Sequence, residues 1–258
     1  MNGRVKPTDR RGALRAGAAA ALAGALATAC GTAPRPTAPA PRHPAPAPHA
    51  APAPRRLPGQ PAEIAHGPRD RPGVALTFHG QGDPALARTL LGQAEKAGAR
   101  VTVLAVGSWL DAHPDMARRI LDGGHDLGNH TQHHIDVNAL TEDRALAEIE
   151  ACATRLRRLT GSIGTWFRPS RTQHAAPTVL RAARRAGYPH VLSYDVDSLD
   201  FTSPGAAAVV RNVTGPVRAG SVVSLHFGYP DTAAALPLLL ADLDRRGLRA
   251  VTTTELLT

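Results

Sequence analysis

Asp126-Leu127-Gly128-Asn129-His130-Thr131-Gln132-His133-His134 joins a strand signal to a metal signal. The run 126–129 reads as a short strand, and two imidazoles, His130 and His134, follow its end four residues apart. On one turn of backbone, side chains at i and i+4 have Cβ atoms about 5 to 6 Å apart. Two neutral imidazoles so placed can each reach roughly 2.0 to 2.1 Å from a zinc-sized ion. With 12 histidines in the chain such a pair also arises by chance, so its weight depends on what surrounds it. His133 points to another side of the turn and is not read as a ligand. His125 and His113 are read as surface or turn residues.

Working outward, short β-branched runs alternate with longer amphipathic stretches from residue 74 on, the pattern of βα units around a parallel sheet. The expected strands are 74–78, 101–106, 126–129, 165–168, 190–194, 222–226 and 249–252. The expected helices include 84–97, 141–159, 177–186 and 232–246. In the second of these, Leu146, Ile149, Cys152, Leu156 and Leu159 recur at helical spacing, which places Cys152 in the core. His79 then follows the first strand, His130 the third, Arg168 the fourth, Asp200 the fifth and His226 the sixth. Carboxyl ends of parallel strands share one face, where chemistry is usually assembled. Separate segments therefore deliver His, Arg and Asp to one rim.

The first seventy residues are of another kind. Asp9-Arg10-Arg11-Gly12-Ala13-Leu14-Arg15 is a twin-arginine pattern ahead of an Ala/Leu/Gly run, and Leu26-Ala27-Thr28-Ala29-Cys30 resembles a bacterial lipoprotein signal. Residues 1–30 are expected to export the chain and anchor it to a membrane through a lipid on Cys30. Residues 31–71, dominated by Pro and Ala, are expected to form an extended spacer, with one folded domain over 72–258. The net charge of +9 comes from scattered arginines without interleaved aromatics, which argues against nucleic acid and suits an anionic envelope. With Cys30 lipidated, Cys152 is the remaining thiol and no internal disulfide is expected. The chain is expected to act as a monomer.

Across residues 72–258 the chain resembles the polysaccharide deacetylases, carbohydrate esterase family 4. The segments that carry the likeness are Thr77-Phe78-His79-Gly80, His130-Thr131-Gln132-His133-His134, Phe167-Arg168-Pro169, Asp197-Ser198-Leu199-Asp200-Phe201 and Leu225-His226, in the family's order. The resemblance implies an α/β fold, a distorted (β/α) barrel of seven strands (the NodB-like fold). It also implies a divalent cation, zinc above all, with cobalt, nickel or manganese as other candidates. Carried onto these positions, His130 and His134 are metal ligands, His226 is the acid that protonates the leaving amine, Asp200 orients His226, and Arg168 pairs with a catalytic carboxylate. Phe201 stands in place of the family's tryptophan.

The first motif departs. The family carries two aspartates, one the base and one the third ligand, where this chain has His79 and Gly80. Asp83, five residues after Phe78, offers two repairs. Either Asp83 ligates the cation and His79 is the base, or His79 completes a three-histidine site and Asp83, paired with Arg168, is the base. Asp before Pro is also a standard helix start. A carboxylate of Asp83 beside His79 would favour catalysis; a carboxylate that only caps a helix would favour a relative that binds glycan without hydrolysing it. The expected activity is removal of acetyl groups from an N- or O-acetylated polysaccharide, with peptidoglycan the nearest polymer.

Overall fold

A computed structural model describes residues 51–258. The expected signal segment, Cys30 and the first part of the spacer lie outside the described residues. In chain order the elements are β1 (Glu63–Ile64), β2 (Gly73–Gly80), α1 (Pro84–Lys96), β3 (Thr102–Ala105), α2 (Gly107–Ala112), α3 (Asp115–Asp122), β4 (Asp126–Asn129), α4 (Glu142–Thr160), α5 (Pro177–Arg185), β5 (Val191–Leu192), β6 (Val196–Asp197), α6 (Ala206–Thr214), β7 (Val222–His226), α7 (Pro230–Arg245), β8 (Arg249–Val251) and α8 (Thr253–Leu257).

Local chemistry explains the main elements. α1 starts on Asp83, whose side chain accepts from the Ala85 N–H, with Pro84 at its first position. It buries Ala87, Leu90, Leu91 and Ala94, a stripe at helical spacing. α4 is capped by Thr141 and closed by Gly161 at φ 78°, and Cys152 is buried on it as expected. The strands are short apolar runs: Val74, Leu76 and Phe78 of β2 and Val223 and Leu225 of β7 lie in the core that the helices cover.

Every ladder between strands is parallel. The order is β4-β3-β2-β7-β6, with β8 beside the start of β2 and β1 beside β5. The expected strand at 165–168 is reduced to Phe167, which bridges Asn129 on one side and Val191 on the other. Gly164, at φ 86°, and Pro169, which has no N–H, confine it to that length. Through Phe167 and the run from β5 to β6 the ring closes, an α/β distorted barrel. Its carboxyl ends carry the polar residues singled out above.

The folded part begins ahead of residue 72, so the expected spacer boundary is corrected. Ile64 is buried, β1 pairs with β5, and the Leu57 N–H donates to His190 Nε2 at 2.9 Å. Leu57 and Ile64 are apolar residues within a Pro/Ala-rich context, and they find cover on the barrel wall. Among the described residues no helix is long and apolar enough to cross a membrane.

Candidate active site

His79 lies near the end of β2 and His226 at the end of β7; the two are register partners. His130 follows β4, and its loop is not the helical turn that the His-x-x-x-His spacing suggests. Thr131 and His134 both adopt positive φ, 65° and 54°, so the backbone bends twice to return His134 beside His130. Asn129 holds this shape: its Oδ1 accepts from the Thr131 N–H at 2.9 Å, while its Nδ2 donates to the Ile149 carbonyl and to the Tyr188 hydroxyl. The loop is also bonded to α2 and α4 by backbone hydrogen bonds from Gly107 to Thr131 and from Gln132 to Glu148.

His79, His130 and His134 converge, with one ligand nitrogen from each lying within 4.8 Å of the others. His130 Nδ1 is bound to the Arg168 carbonyl at 3.0 Å, which gives that nitrogen the proton and leaves Nε2 with its lone pair. His79 Nε2 lies 3.2 Å from Ser224 Oγ and 3.4 Å from the Arg168 guanidinium, which leaves Nδ1 as the ring nitrogen with no partner of its own. His79 Nδ1 and His130 Nε2 are both buried without a hydrogen-bond partner. A buried orphan nitrogen costs about 1 to 3 kcal/mol, and two of them facing one point form a cation cradle. Burial, reinforced by the neighbouring imidazoles, holds His79 and His130 well below the ordinary histidine range, and burial with the Arg171 charge lowers His134 to about 4. All three rings are thus neutral donors near pH 7, as ligation requires.

Beside this triad stands a second arrangement. Asp200, fully buried, accepts from the His226 backbone N–H at 2.8 Å, from His226 Nδ1 at 2.6 Å and from Thr232 Oγ1 at 2.6 Å. The carboxylate fixes the imidazole's tautomer and plane and leaves Nε2 for the substrate. Phe201 and Tyr229 flank the His226 ring edge-on, with centroids at 5.5 and 5.8 Å. Phe201 is 45% exposed and Leu199 43%, so the rim beside His226 is apolar.

Arg168 is fully buried. Its guanidinium donates to the Leu192 and Ser193 carbonyls and to Thr77 Oγ1, and lies 3.4 Å from His79 Nε2. Tyr194 packs over it at 5.3 Å. No carboxylate pairs with it among the described residues, and burial lowers its pKa to about 10, so it stays charged.

The structure therefore brings together His79, His130, His134, Arg168, Asp200 and His226, and leaves Asp83 apart. Asp83 is exposed and caps α1, its Oδ1 2.8 Å from the Ala85 nitrogen. Of the two repairs, the geometry supplies the three-histidine cluster without the Asp83–Arg168 pair, and it does not make Asp83 a ligand. The reason is local: Gly82, at φ 100°, turns the chain out of the barrel into the helix, and the Trp109 indole N–H holds its carbonyl at 2.8 Å. His133 is exposed and paired with Glu148. His125, expected at the surface, is buried between Val101 and Glu95, partners remote in sequence. Sequence reasoning missed Thr77, Ser224, Tyr194, Tyr229 and Thr232. The period-2 alternation of β2 and β7 could have flagged Thr77 and Ser224, which share the inward face with His79.

Comparison with known proteins agrees with this geometry. The polysaccharide deacetylase family model matches residues 66–191. A peptidoglycan-N-acetylglucosamine deacetylase of Bacillus cereus is 30% identical over 196 residues, covering 71% of this chain and 87% of that protein. The solved Bc1960 peptidoglycan N-acetylglucosamine deacetylase superposes with a TM-score of 0.71 at 25% identity, over 76% of this chain and 92% of its own. BA3943 of Bacillus anthracis, described as a pseudoenzyme of carbohydrate esterase family 4, shares the fold with a TM-score of 0.71 at 24% identity, over 77% and 70%. With a 30% identical relative matched over most of its length, and with the histidine cluster at the strand ends of a parallel barrel, the chain belongs to the polysaccharide deacetylase family of hydrolases.

Proposed function

We propose that this protein removes acetyl groups from an N-acetylated glycan of the cell envelope, with peptidoglycan the nearest substrate, by hydrolysis of the amide C–N bond. The observation that carries this reading is the pair of buried orphan nitrogens, His79 Nδ1 and His130 Nε2, beside the His226–Asp200 pair. A divalent cation, zinc the best match to an all-imidazole donor set, would be held by His79, His130 and His134. Bound there, it supplies a Lewis acid for the acetyl carbonyl.

The chain's own residues supply the rest. His226 Nε2 is the imidazole nitrogen of the site that lies outside the cluster, its Nδ1 being held by Asp200. It takes a proton from the attacking water as the C–O bond forms. It then returns that proton to the glycan nitrogen as the C–N bond breaks, leaving a free amine and acetic acid, which gives up its remaining proton to solvent and departs as acetate. Asp200 keeps His226 in the tautomer that does this and stabilises the imidazolium between the two transfers. Phe201, Leu199 and Tyr229 wall the sugar and limit water at the site. In the cell, the twin-arginine and lipoprotein patterns support an exported protein tethered through Cys30, with the Pro/Ala-rich segment giving it reach into the wall.

A second reading, a relative that binds glycan without hydrolysing it, is favoured by one specific observation: Asp83 caps α1, and Arg168 has no carboxylate partner among the described residues. Acetate release from chitooligosaccharides and peptidoglycan fragments, with zinc and with chelator, distinguishes the two. Zinc-dependent release that His130→Ala abolishes supports hydrolysis; retained glycan binding with no release from any of these substrates supports the binder.

A further inference from the structure

The donor set at this site is all nitrogen. Each of the three converging atoms is an imidazole nitrogen, and every nearby carboxylate is engaged elsewhere. Asp83 is tied to the start of α1, and Asp200 accepts three hydrogen bonds from His226 and Thr232. Oxygen-preferring cations such as magnesium and manganese are held by carboxylates, carbonyls and water, whereas imidazole suits zinc, copper, nickel and cobalt.

The surroundings leave that difference in place. The buried Arg168 guanidinium lies 3.4 Å from His79 and has no carboxylate in direct contact among the described residues. That positive field penalises every divalent cation alike, so what separates them is the strength of the bonds each forms to imidazole nitrogen. His79 is also held in place, because its Nε2 is bound by Ser224 and by the Arg168 guanidinium while Nδ1 is left without a partner.

We propose that His79 is the residue that sets metal selectivity here, making the centre a nitrogen-only site that takes zinc-like cations and rejects manganese and magnesium. This rests on the reading of the histidine cluster as a metal site and deepens it. An acidic residue at position 79 would face Arg168 and offer a charged oxygen, restoring the conditions that harder cations need.

The test is direct metal binding, not activity. The purified full-length protein, stripped with chelator, is titrated calorimetrically with zinc chloride and separately with manganese chloride, as wild type, His79→Asp and His79→Asn. The wild type is expected to take one equivalent of zinc at least roughly 1,000-fold more tightly than manganese. His79→Asp is expected to narrow that ratio by about tenfold or more, through gained manganese affinity. His79→Asn, which offers an uncharged oxygen, is expected to weaken zinc binding. A thermal melt confirms that each variant is folded, and the wild-type ratio is a test on its own. Manganese bound within about tenfold of zinc by the wild type, or a ratio unmoved by His79→Asp, overturns the selectivity proposal while leaving a metal site in place. No zinc binding by the wild type overturns both the proposal and the metal reading beneath it.

Discussion

His79 and His226 are register partners on adjacent parallel strands, and their rings pack 4.3 Å apart, centroid to centroid, at 36°. One ring belongs to the histidine cluster and the other to the Asp200 pair, so the proposed metal binding and proton transfer would meet across a single β2–β7 contact. Replacing Asp200 tests whether the two functions separate there. Asp200→Asn is expected to lower kcat for acetate release by about 10² to 10⁴-fold, with KM and zinc affinity little changed. Loss of zinc binding in that variant would mean that Asp200 supports the cluster instead.

Asp83 is expected to be a structural residue. Asp83→Ala removes the N-cap of α1 and should cost about 1 kcal/mol, read as a lower melting temperature. Asp83→Asn keeps the cap and should leave stability and acetate release unchanged. Release abolished by Asp83→Asn with folding intact would make this carboxylate catalytic after all.

Arg168 gives a prediction about folding. Its guanidinium donates to Leu192 O, Ser193 O and Thr77 Oγ1 inside the barrel, and Arg168→Ala would strip all three acceptors of that donor. At about 1 to 3 kcal/mol for each unsatisfied buried group, denaturant titration should show a loss of several kcal/mol or no folded protein. Arg168→Lys should destabilise too, because an ammonium cannot span the fork. A wild-type denaturation midpoint in either variant would refute this account of Arg168.

Stability without metal should depend on pH in a defined direction. His79 and His130 are held well below the ordinary range by burial, and His134 at about 4. Unfolded imidazoles protonate near 6.5. Below that value the unfolded chain binds more protons than the folded one, so stability falls as the pH drops from 7 toward 5 and is level above 7. Each fully buried ring contributes up to about 1 kcal/mol per pH unit in that window. His125 adds to the trend, and Asp126, raised by burial, opposes it. A melting temperature that stays flat from pH 7.5 to about 5 in chelator would show that these rings are not held neutral.

Much of this was legible in the sequence, because strand ends are local features. The strands at 126–129 and 222–226 were read to the residue, and the order of His79, His130, Arg168, Asp200 and His226 along successive strands located the site. What stayed hidden depends on contacts between distant segments. The short strand β1 exists only by pairing with β5, more than a hundred residues away. The choice between His79 and Asp83 is open in the sequence because both stand within a few residues of the end of β2; only the turn at Gly82 and the Trp109 contact separate them. Arg168's want of an acid partner is likewise a property of the folded barrel.

The wall behind Gly80 bears on how such a site can change over generations. A side chain at this position would bring its first carbon to 2.9 Å from Val103 Cγ1 and 3.0 Å from the Ala105 Cα, so the family's second aspartate could not return without displacing β3. With β3 packed this closely against Gly80, the barrel wall itself disfavours any side chain at this position and leaves position 79 as the place in the first motif where a ligand can stand.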